Sequence, residues 1–298
     1  MTKTPLETSP QSPSQASKFW MVVGLLLIAA NLRAALTAVP PMLSDIANAF
    51  SLNTTALGAL TSTPVFLFAL TSPLATRLAR TRGLEQAFGL AMTALIVGLL
   101  LRPTGSLFAL FAGTVAIAVG IGIGNVLAPA LVKRDFPHDK GTLTSAYAVL
   151  IGITAASSAA VAVPIAHHLS LGWQTALASP LVLAIPAALF WLPRFQRSRP
   201  IAANDNTSSS AQAVRRSWLA WQVTLFLGLN AFIFFLLVGW MPAMLQDVGY
   251  TAQQAGATHG LMLLCAAFPP LVLIPLFRHL RDQRLLSMTT SLPTYLGW

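Results

Sequence analysis

The feature that most constrains this chain is an arginine inside its first long apolar stretch. Residues Phe19 to Leu32 are uncharged, and they make only about 21 Å of helix. A bilayer core about 30 Å thick needs about 20 residues to cross, so a spanning helix has to carry Arg33 into the membrane. An arginine near the centre of such a helix costs roughly 2.5 to 3.5 kcal/mol, and it therefore indicates a functional site.

The composition is that of a membrane protein. The chain of 298 residues is 55% hydrophobic and 9% charged, whereas soluble domains carry about 25% charged residues. A net charge of +10 is compatible with nucleic-acid binding. However, the basic residues form short clusters between uncharged stretches rather than a basic helix. We therefore predict contact with a lipid bilayer and no nucleic-acid partner.

Long apolar segments predict an all-α polytopic protein. The 53 residues between Gly141 and Pro193 are too long for one span, and polar residues with an interfacial tryptophan at 167–173 predict a break there. A ninth span begins near Leu285. The eight predicted spans are approximately 19–41, 55–76, 85–101, 107–130, 142–165, 174–192, 219–242 and 255–276.

Polar segments divide the chain into domains. Residues 1–18, rich in Ser, Thr, Pro and Gln, predict a disordered cytoplasmic tail, and residues 193–217 predict a flexible cytoplasmic linker. They separate a six-span half at 19–192 from an incomplete second half at 218–298. Sixteen of the eighteen lysines and arginines fall on one predicted side, with Arg102 outside and Arg33 in the membrane. By the positive-inside rule, the amino terminus is predicted to be cytoplasmic.

An internal repeat supports two related halves. The segment from Pro40 to Asp45 closes the first span, and Pro, Met, Leu and Asp recur between Pro242 and Asp247, 202 residues later. Asn31 and Asn230 lie at comparable depths in the first and seventh spans. A second half of six spans would end near about residue 400, so we expect a truncated sequence that lacks roughly four spans.

Two segments resemble the cyanate and nitroimidazole permease family of the major facilitator superfamily. They are Asn31-Leu32-Arg33 in the first span and 122–137, GIGNVLAPALVKRDFP, at the end of the fourth. The resemblance implies a monomeric inner-membrane transporter that moves a small polar or anionic solute, cyanate-like or nitroimidazole-like, by alternating access. The superfamily's gate loop between spans two and three keeps Arg77 and Arg80, but Thr76 replaces its acidic residue.

Arg33 is the first candidate for substrate binding. A guanidinium presents a planar fork of donors to an anion, and no Asp or Glu lies inside a predicted span to neutralise it. The alternative is that Arg33 reaches outward to the interface or bonds backbone carbonyls. Asn31 is a second candidate, but two positions are about 200° apart on a helix, so the two side chains face opposite ways. Asn125 and Asn230 complete the predicted binding set.

The remaining polar motifs have structural alternatives. His259 in the eighth span is a candidate for proton coupling or a packing residue. The glycines between Gly120 and Gly124 have the wrong spacing for a dinucleotide loop; with Gly113 they form a small-residue stripe that permits close helix packing. No catalytic residue, metal site or cofactor is predicted. The alternative to a transporter is a membrane receptor or regulatory subunit, or an inactive truncated transporter.

Overall fold

The computed structural model describes residues 15–137, 139–195 and 217–267. All regular structure in these ranges is helical, as the sequence predicts. The α-helices are α1 (Gln15–Thr37), α2 (Leu43–Phe50), α3 (Thr54–Arg82), α4 (Leu84–Leu101), α5 (Leu107–Asp135), α6 (Lys140–Val163), α7 (Gly172–Ala178), α8 (Leu181–Phe195), α9 (Trp218–Asp247) and α10 (Ala252–Ala267). Two 3-10 helices, Pro40–Met42 and Arg102–Thr104, and a π-helical turn, Pro164–His168, connect them.

Seven segments of the described chain are long and apolar enough to cross a membrane. They are Phe19–Phe50, Thr54–Arg82, Leu84–Thr104, Leu107–Asp135, Lys140–His167, Gly172–Arg194 and Trp218–Asp247. These segments correspond to the first seven predicted spans. The eighth predicted span is described as far as Ala267, and its remainder lies outside the described residues. The predicted ninth span and most of the predicted tail and linker also lie outside them.

Prolines and a left-handed residue set the helix ends. α1 ends at Thr37 because Pro40 and Pro41 follow and have no N–H to continue the hydrogen-bond ladder. The predicted break at 167–173 is present, with Ser170 at φ 51°. The sixth span is interrupted rather than continuous, since Pro180 separates α7 from α8. α1 also begins at Gln15, inside the predicted tail.

Glycines bring α4 and α5 together along their length. A Cβ atom on Gly98 would lie 2.5 Å from the carbonyl oxygen of Gly113, and one on Gly113 would lie 2.7 Å from the carbonyl oxygen of Gly98. Gly120 meets the backbone of α4 in the same way, and Gly124 meets the side chain of Leu32 on α1. The predicted small-residue stripe therefore serves close helix packing.

Hydrogen bonds fix α1 in the centre of the bundle. The Ser158 hydroxyl of α6 donates to the carbonyl oxygen of Ala34 at 2.7 Å, and the Thr37 hydroxyl donates to that of Ala155 at 3.0 Å. On another side, the Trp191 indole of α8 donates to the carbonyl oxygen of Gly24 at 2.9 Å. These bonds join α1 to two helices distant in sequence, α6 and α8.

α9 and α10 differ in how they pack. Nearly every residue in the first half of α9 is exposed. The buried residues of this helix are Val238 and Pro242. α10 packs closely on α6, where a Cβ atom on Gly260 would lie 3.1 Å from the carbonyl oxygen of Ala156. The described part of the second half is therefore joined to the first half mainly through α6, with smaller contacts to the 3-10 helix Pro40–Met42 and to α3.

Candidate functional site

A cavity of about 40 Å³ lies between α1, α3, α9 and the two 3-10 helices. Its wall is largely apolar but contains two arginines and two threonines. The lining residues are Arg33, Leu36, Thr37, Val39, Pro40, Leu60, Thr61, Pro64, Val65, Arg102, Phe235, Val238 and Gly239. We call this space the arginine cavity. It places positive charge inside the helical bundle.

Arg33 lines the arginine cavity and stacks on aromatic rings. Its Cζ atom lies 4.6 Å from the ring centroid of Phe234 and 5.3 Å from that of Phe235, both on α9. Ring faces attract a guanidinium, and more strongly where water is excluded. Among the described residues, no carboxylate forms an ion pair with Arg33. Its charge is therefore held by rings and remains available to an anion.

A second cavity of about 360 Å³ adjoins the first between α3 and α9. The two share Thr61, Val65 and Phe235 as lining residues. The larger cavity is also lined by the side chains of Phe66, Phe232 and Trp240. Space for a solute larger than the arginine cavity is thus available next to it, against aromatic surface.

Arg102 is a cavity residue that the sequence did not reveal. The prediction put it in an outer loop, but its side chain is only 1% exposed and lines the arginine cavity. Its Nη1 atom donates to the carbonyl oxygen of Ala35 at 2.8 Å, and Nε donates to the Thr114 hydroxyl at 3.2 Å. Arg102 was predicted to lie outside the membrane because it belongs to a short connection between two apolar segments. The inward turn depends on space beside Gly113, which meets the Arg102 side chain.

Asn31 faces away from the arginine cavity. Its Nδ2 atom donates to the carbonyl oxygens of Leu27 at 2.8 Å and Leu183 at 3.2 Å. The second of these bonds joins α1 to α8. Asn31 and Arg33 therefore point in different directions, as the helical angle predicts, and the described geometry does not bring Asn31 to the cavity.

The other predicted polar residues do not line the arginine cavity either. Asn125 on α5 and Asn230 on α9 are exposed, and their roles in binding stay predictions. His259 on α10 is fully buried, and neither of its ring nitrogens has a hydrogen-bond partner within the described ranges. It belongs to the α6–α10 contact rather than to the arginine cavity.

Basic residues collect at one end of the bundle, which we call the basic end. Arg77 and Arg80 are exposed there, and their predicted gating role stays untested. Arg134 forms ion pairs at this end: its Nη2 atom lies 2.6 Å from Glu85 Oε1 and its Nε atom lies 2.6 Å from Asp135 Oδ1. Glu85 opens α4, so this contact joins the ends of α4 and α5.

This architecture defines a polytopic α-helical membrane protein with a charged cavity between its helices. The family model of the Major Facilitator Superfamily matches residues 22–298. The chain is 40% identical over 291 residues to the 2-nitroimidazole transporter of Escherichia coli. The aligned region covers 97% of this chain and 74% of that protein. The chain therefore belongs to the major facilitator superfamily, and within it to the cyanate and nitroimidazole permease family.

Two further relatives agree with this family. A protein of Bacillus subtilis described as an uncharacterised transporter is 37% identical over 89% of this chain and 66% of its own length. The cyanate transport protein of Escherichia coli is 25% identical over 93% of this chain and 72% of its own length. The chain thus spans two thirds to three quarters of the length of these relatives.

Solved structures confirm the fold. A bacterial homologue of the human lysosomal transporter Spinster, in an inward-facing and unoccupied conformation, has a TM-score of 0.68 at 16% identity, covering 86% of this chain and 61% of that one. A D-xylose–proton symporter has a TM-score of 0.64 at 14% identity, covering 88% and 68%. At these identities the likeness concerns the fold alone.

Proposed function

We propose that this protein moves a small anionic solute across a bacterial inner membrane by alternating access, with Arg33 as the group that binds the anion. One observation carries the proposal. The Arg33 guanidinium lines a cavity inside the bundle and is held there by two aromatic rings, without an acidic partner in the described residues. A charged side chain at this depth in a membrane lowers stability, so its presence indicates a function.

The names of the relatives agree with an anion or an anion-like group. Cyanate is a small linear anion, and the nitro group of 2-nitroimidazole is planar with two acceptor oxygens, like a carboxylate. Both offer acceptors to a guanidinium fork. We therefore place cyanate-like and nitroimidazole-like solutes first among the candidates for this chain.

The distribution of charge supports a cytoplasmic amino terminus. Within the described ranges, lysines and arginines other than Arg33 and Arg102 lie at the basic end, where α1 begins and α3, α5 and α8 end. The far end carries Asp45, Asp247 and His167 instead. Cytoplasmic loops are enriched in Lys and Arg. Since Arg102 is buried in the bundle, it is no longer an exception to this rule.

The experiment is solute uptake into proteoliposomes that contain the full chain. We expect uptake of labelled cyanate or 2-nitroimidazole, and a loss of about tenfold or more in Arg33→Ala, because a charge-assisted contact worth about 1.4 kcal/mol is removed. Lys140→Ala is the control, since it removes an exposed basic side chain outside the arginine cavity. Uptake that Arg33→Ala leaves undiminished contradicts the assignment of Arg33. Binding of the solute without uptake favours a receptor.

We propose His259 as the residue to examine for proton coupling. It is fully buried between α10 and α6 and has two unpartnered ring nitrogens among the described residues. A buried polar atom without a partner costs about 1 to 3 kcal/mol, and separation of α10 from α6 would relieve that cost. Uptake driven by an imposed pH gradient is expected to fall in His259→Gln, and an unchanged pH dependence excludes this residue.

A further inference from the structure

Arg102 stands out because it is an almost completely buried cation that shares a cavity with a second one. It lies in the 3-10 helix after α4, is 1% exposed, and lines the arginine cavity together with Arg33. The two residues reach the same space from different helical segments, 69 positions apart in sequence. A solute in this cavity therefore lies beside both arginine side chains.

The hydrogen bonds of Arg102 hold the side chain without neutralising it. Its bonded atoms are Nε and Nη1, and both partners are neutral oxygens, the Thr114 hydroxyl and the carbonyl of Ala35. A guanidinium has five N–H donors. Within the described residues Nη2 has no hydrogen-bond partner, so donors remain for a further acceptor.

The Ala35 carbonyl explains how a cation is tolerated here. The N–H of Val39 bonds the carbonyl of Leu36 at 3.3 Å rather than that of Ala35, because α1 is ending before Pro40. Arg102 supplies the missing donor to Ala35. The last carbonyls of a helix carry partial negative charge, which favours a cation nearby. This partial charge stabilises Arg102 but leaves a net positive charge at the cavity.

Charge balance then points to an anion. No acidic side chain is among the residues that line the arginine cavity, and Asp45, near the far end, is paired with His167 at 3.0 Å. Two like charges that share a poorly solvated space repel each other. An anion between the two arginines adds two attractions that outweigh their repulsion, whereas a neutral solute adds none.

We propose that Arg102 is a second anion-binding residue of this cavity, so that the anionic group of the solute is held between the guanidinium groups of Arg33 and Arg102. This inference rests on the proposed function and deepens it. A volume of about 40 Å³ holds roughly three waters by the same measure, since each needs about 10 to 15 Å³. The group that enters it is therefore a compact anion of a few atoms, or the anionic end of a larger solute whose remainder lies in the adjoining aromatic cavity.

The test is equilibrium binding of cyanate, a three-atom anion, to the purified full chain. Thr114→Asp places a carboxylate next to Arg102 Nε and neutralises Arg102 where it stands, while Thr114→Asn has the same size without the charge. We expect the dissociation constant to rise about tenfold in Thr114→Asp and to stay within about twofold in Thr114→Asn. Equal dissociation constants in these two variants overturn the inference.

A second pair of variants separates binding from positioning. Arg102→Gln is expected to lose about tenfold in affinity; Arg102→Lys, which keeps the charge but not the planar fork of donors, is expected to bind more tightly than Arg102→Gln and less tightly than the wild type. Ser158→Ala removes a neighbouring bond to the end of α1 and is expected to leave affinity unchanged. If Arg102→Gln and Ser158→Ala lower thermal stability alike and neither changes affinity, Arg102 is only structural. If Arg33→Ala abolishes binding and both neutralising changes at Arg102 do not, the proposed function stands and this inference fails.

Discussion

Each end of the α4–α5 pair holds an arginine, and the two arginines have opposite kinds of hydrogen-bond partner. At the basic end, Arg134 is partly exposed and bonds two carboxylates, Glu85 and Asp135. At the far end, Arg102 is buried, and its hydrogen-bond partners in the described part of the chain are neutral oxygens. The partly exposed ion pairs join the ends of α4 and α5, and the two carboxylates more than compensate the charge of Arg134. A buried arginine without an acid keeps its charge, and with Arg33 it makes the interior attractive to anions.

The largest expected difference between these ends concerns ligand-induced stability. An anion at about 100 times its dissociation constant stabilises a protein by about 2.7 kcal/mol. We expect cyanate to raise the melting temperature of the wild type and of Arg134→Gln, and to lose this effect in Arg33→Gln. Thermal unfolding in detergent with and without cyanate measures it. An equal loss in Arg134→Gln would remove the distinction between the two ends.

The next effect concerns the space that lets Arg102 turn inward. Leucine at Gly113 would collide with the backbone of Gly98 and with the Arg102 side chain. Overpacking of this kind costs about 1 to 3 kcal/mol. We expect Gly113→Leu to lower the melting temperature and weaken anion binding. Gly228→Leu is the matched control, because nothing lies within 4 Å of a Cβ at that position, and a comparable loss there would show that helix packing at Gly113 is not special.

A smaller effect separates neutral from charged contacts at the end of α1. Ser158→Ala removes the 2.7 Å bond to Ala34, and hydrogen bonds between membrane helices contribute about 0.6 kcal/mol on average. We expect slightly lower thermal stability with unchanged anion affinity. Ser62→Ala, which removes a bond within α3, is the control. A change in affinity in Ser158→Ala would mean that neutral contacts also set the geometry of the cavity.

The smallest expected effect is that of the partly exposed ion pair between Glu85 and Arg134. Pairs of this kind contribute less than about 1 kcal/mol and are screened by salt. We expect Glu85→Gln to lower thermal stability slightly at low ionic strength and not at all at high ionic strength, with no change in anion affinity. Melting curves across a salt series measure this. A salt-independent loss would mean that the Glu85–Arg134 pair is less solvated than its exposure indicates.

Several features of the fold were predictable because they depend on short segments. The lengths of the apolar runs predicted seven of the described spans, and the polar break after the fifth span is present. The stripe at Gly113 and Gly120 predicted close packing because glycines four or seven positions apart share a face. The interruption of the sixth span was also readable from Pro180, although it was not predicted. Arg33 was found because no spanning helix of sufficient length avoids it.

The site itself was only partly predictable. The helical angle between Asn31 and Arg33 showed that they diverge, but it did not show which one faces a cavity. His259 was recognised as buried, yet its neighbours on α6 lie far away in sequence. Arg134 and Glu85 meet only because α4 and α5 are antiparallel and tightly packed. Each of these facts depends on contacts between distant helices, to which sequence spacing gives no direct access.

The sequence by itself determined the membrane class, the positions of the spans, the accumulation of basic charge at one end and the presence of Arg33 in the interior. Hydrophobic length and local charge are properties of the chain that packing does not change. Tertiary structure alone decided that the side chain of Arg102 turns from the α4–α5 connection into the bundle. Its placement depends on the space beside Gly113 and on the Ala35 carbonyl, which lacks its helical donor at the end of α1. Only tertiary packing brings Arg102 to both of them.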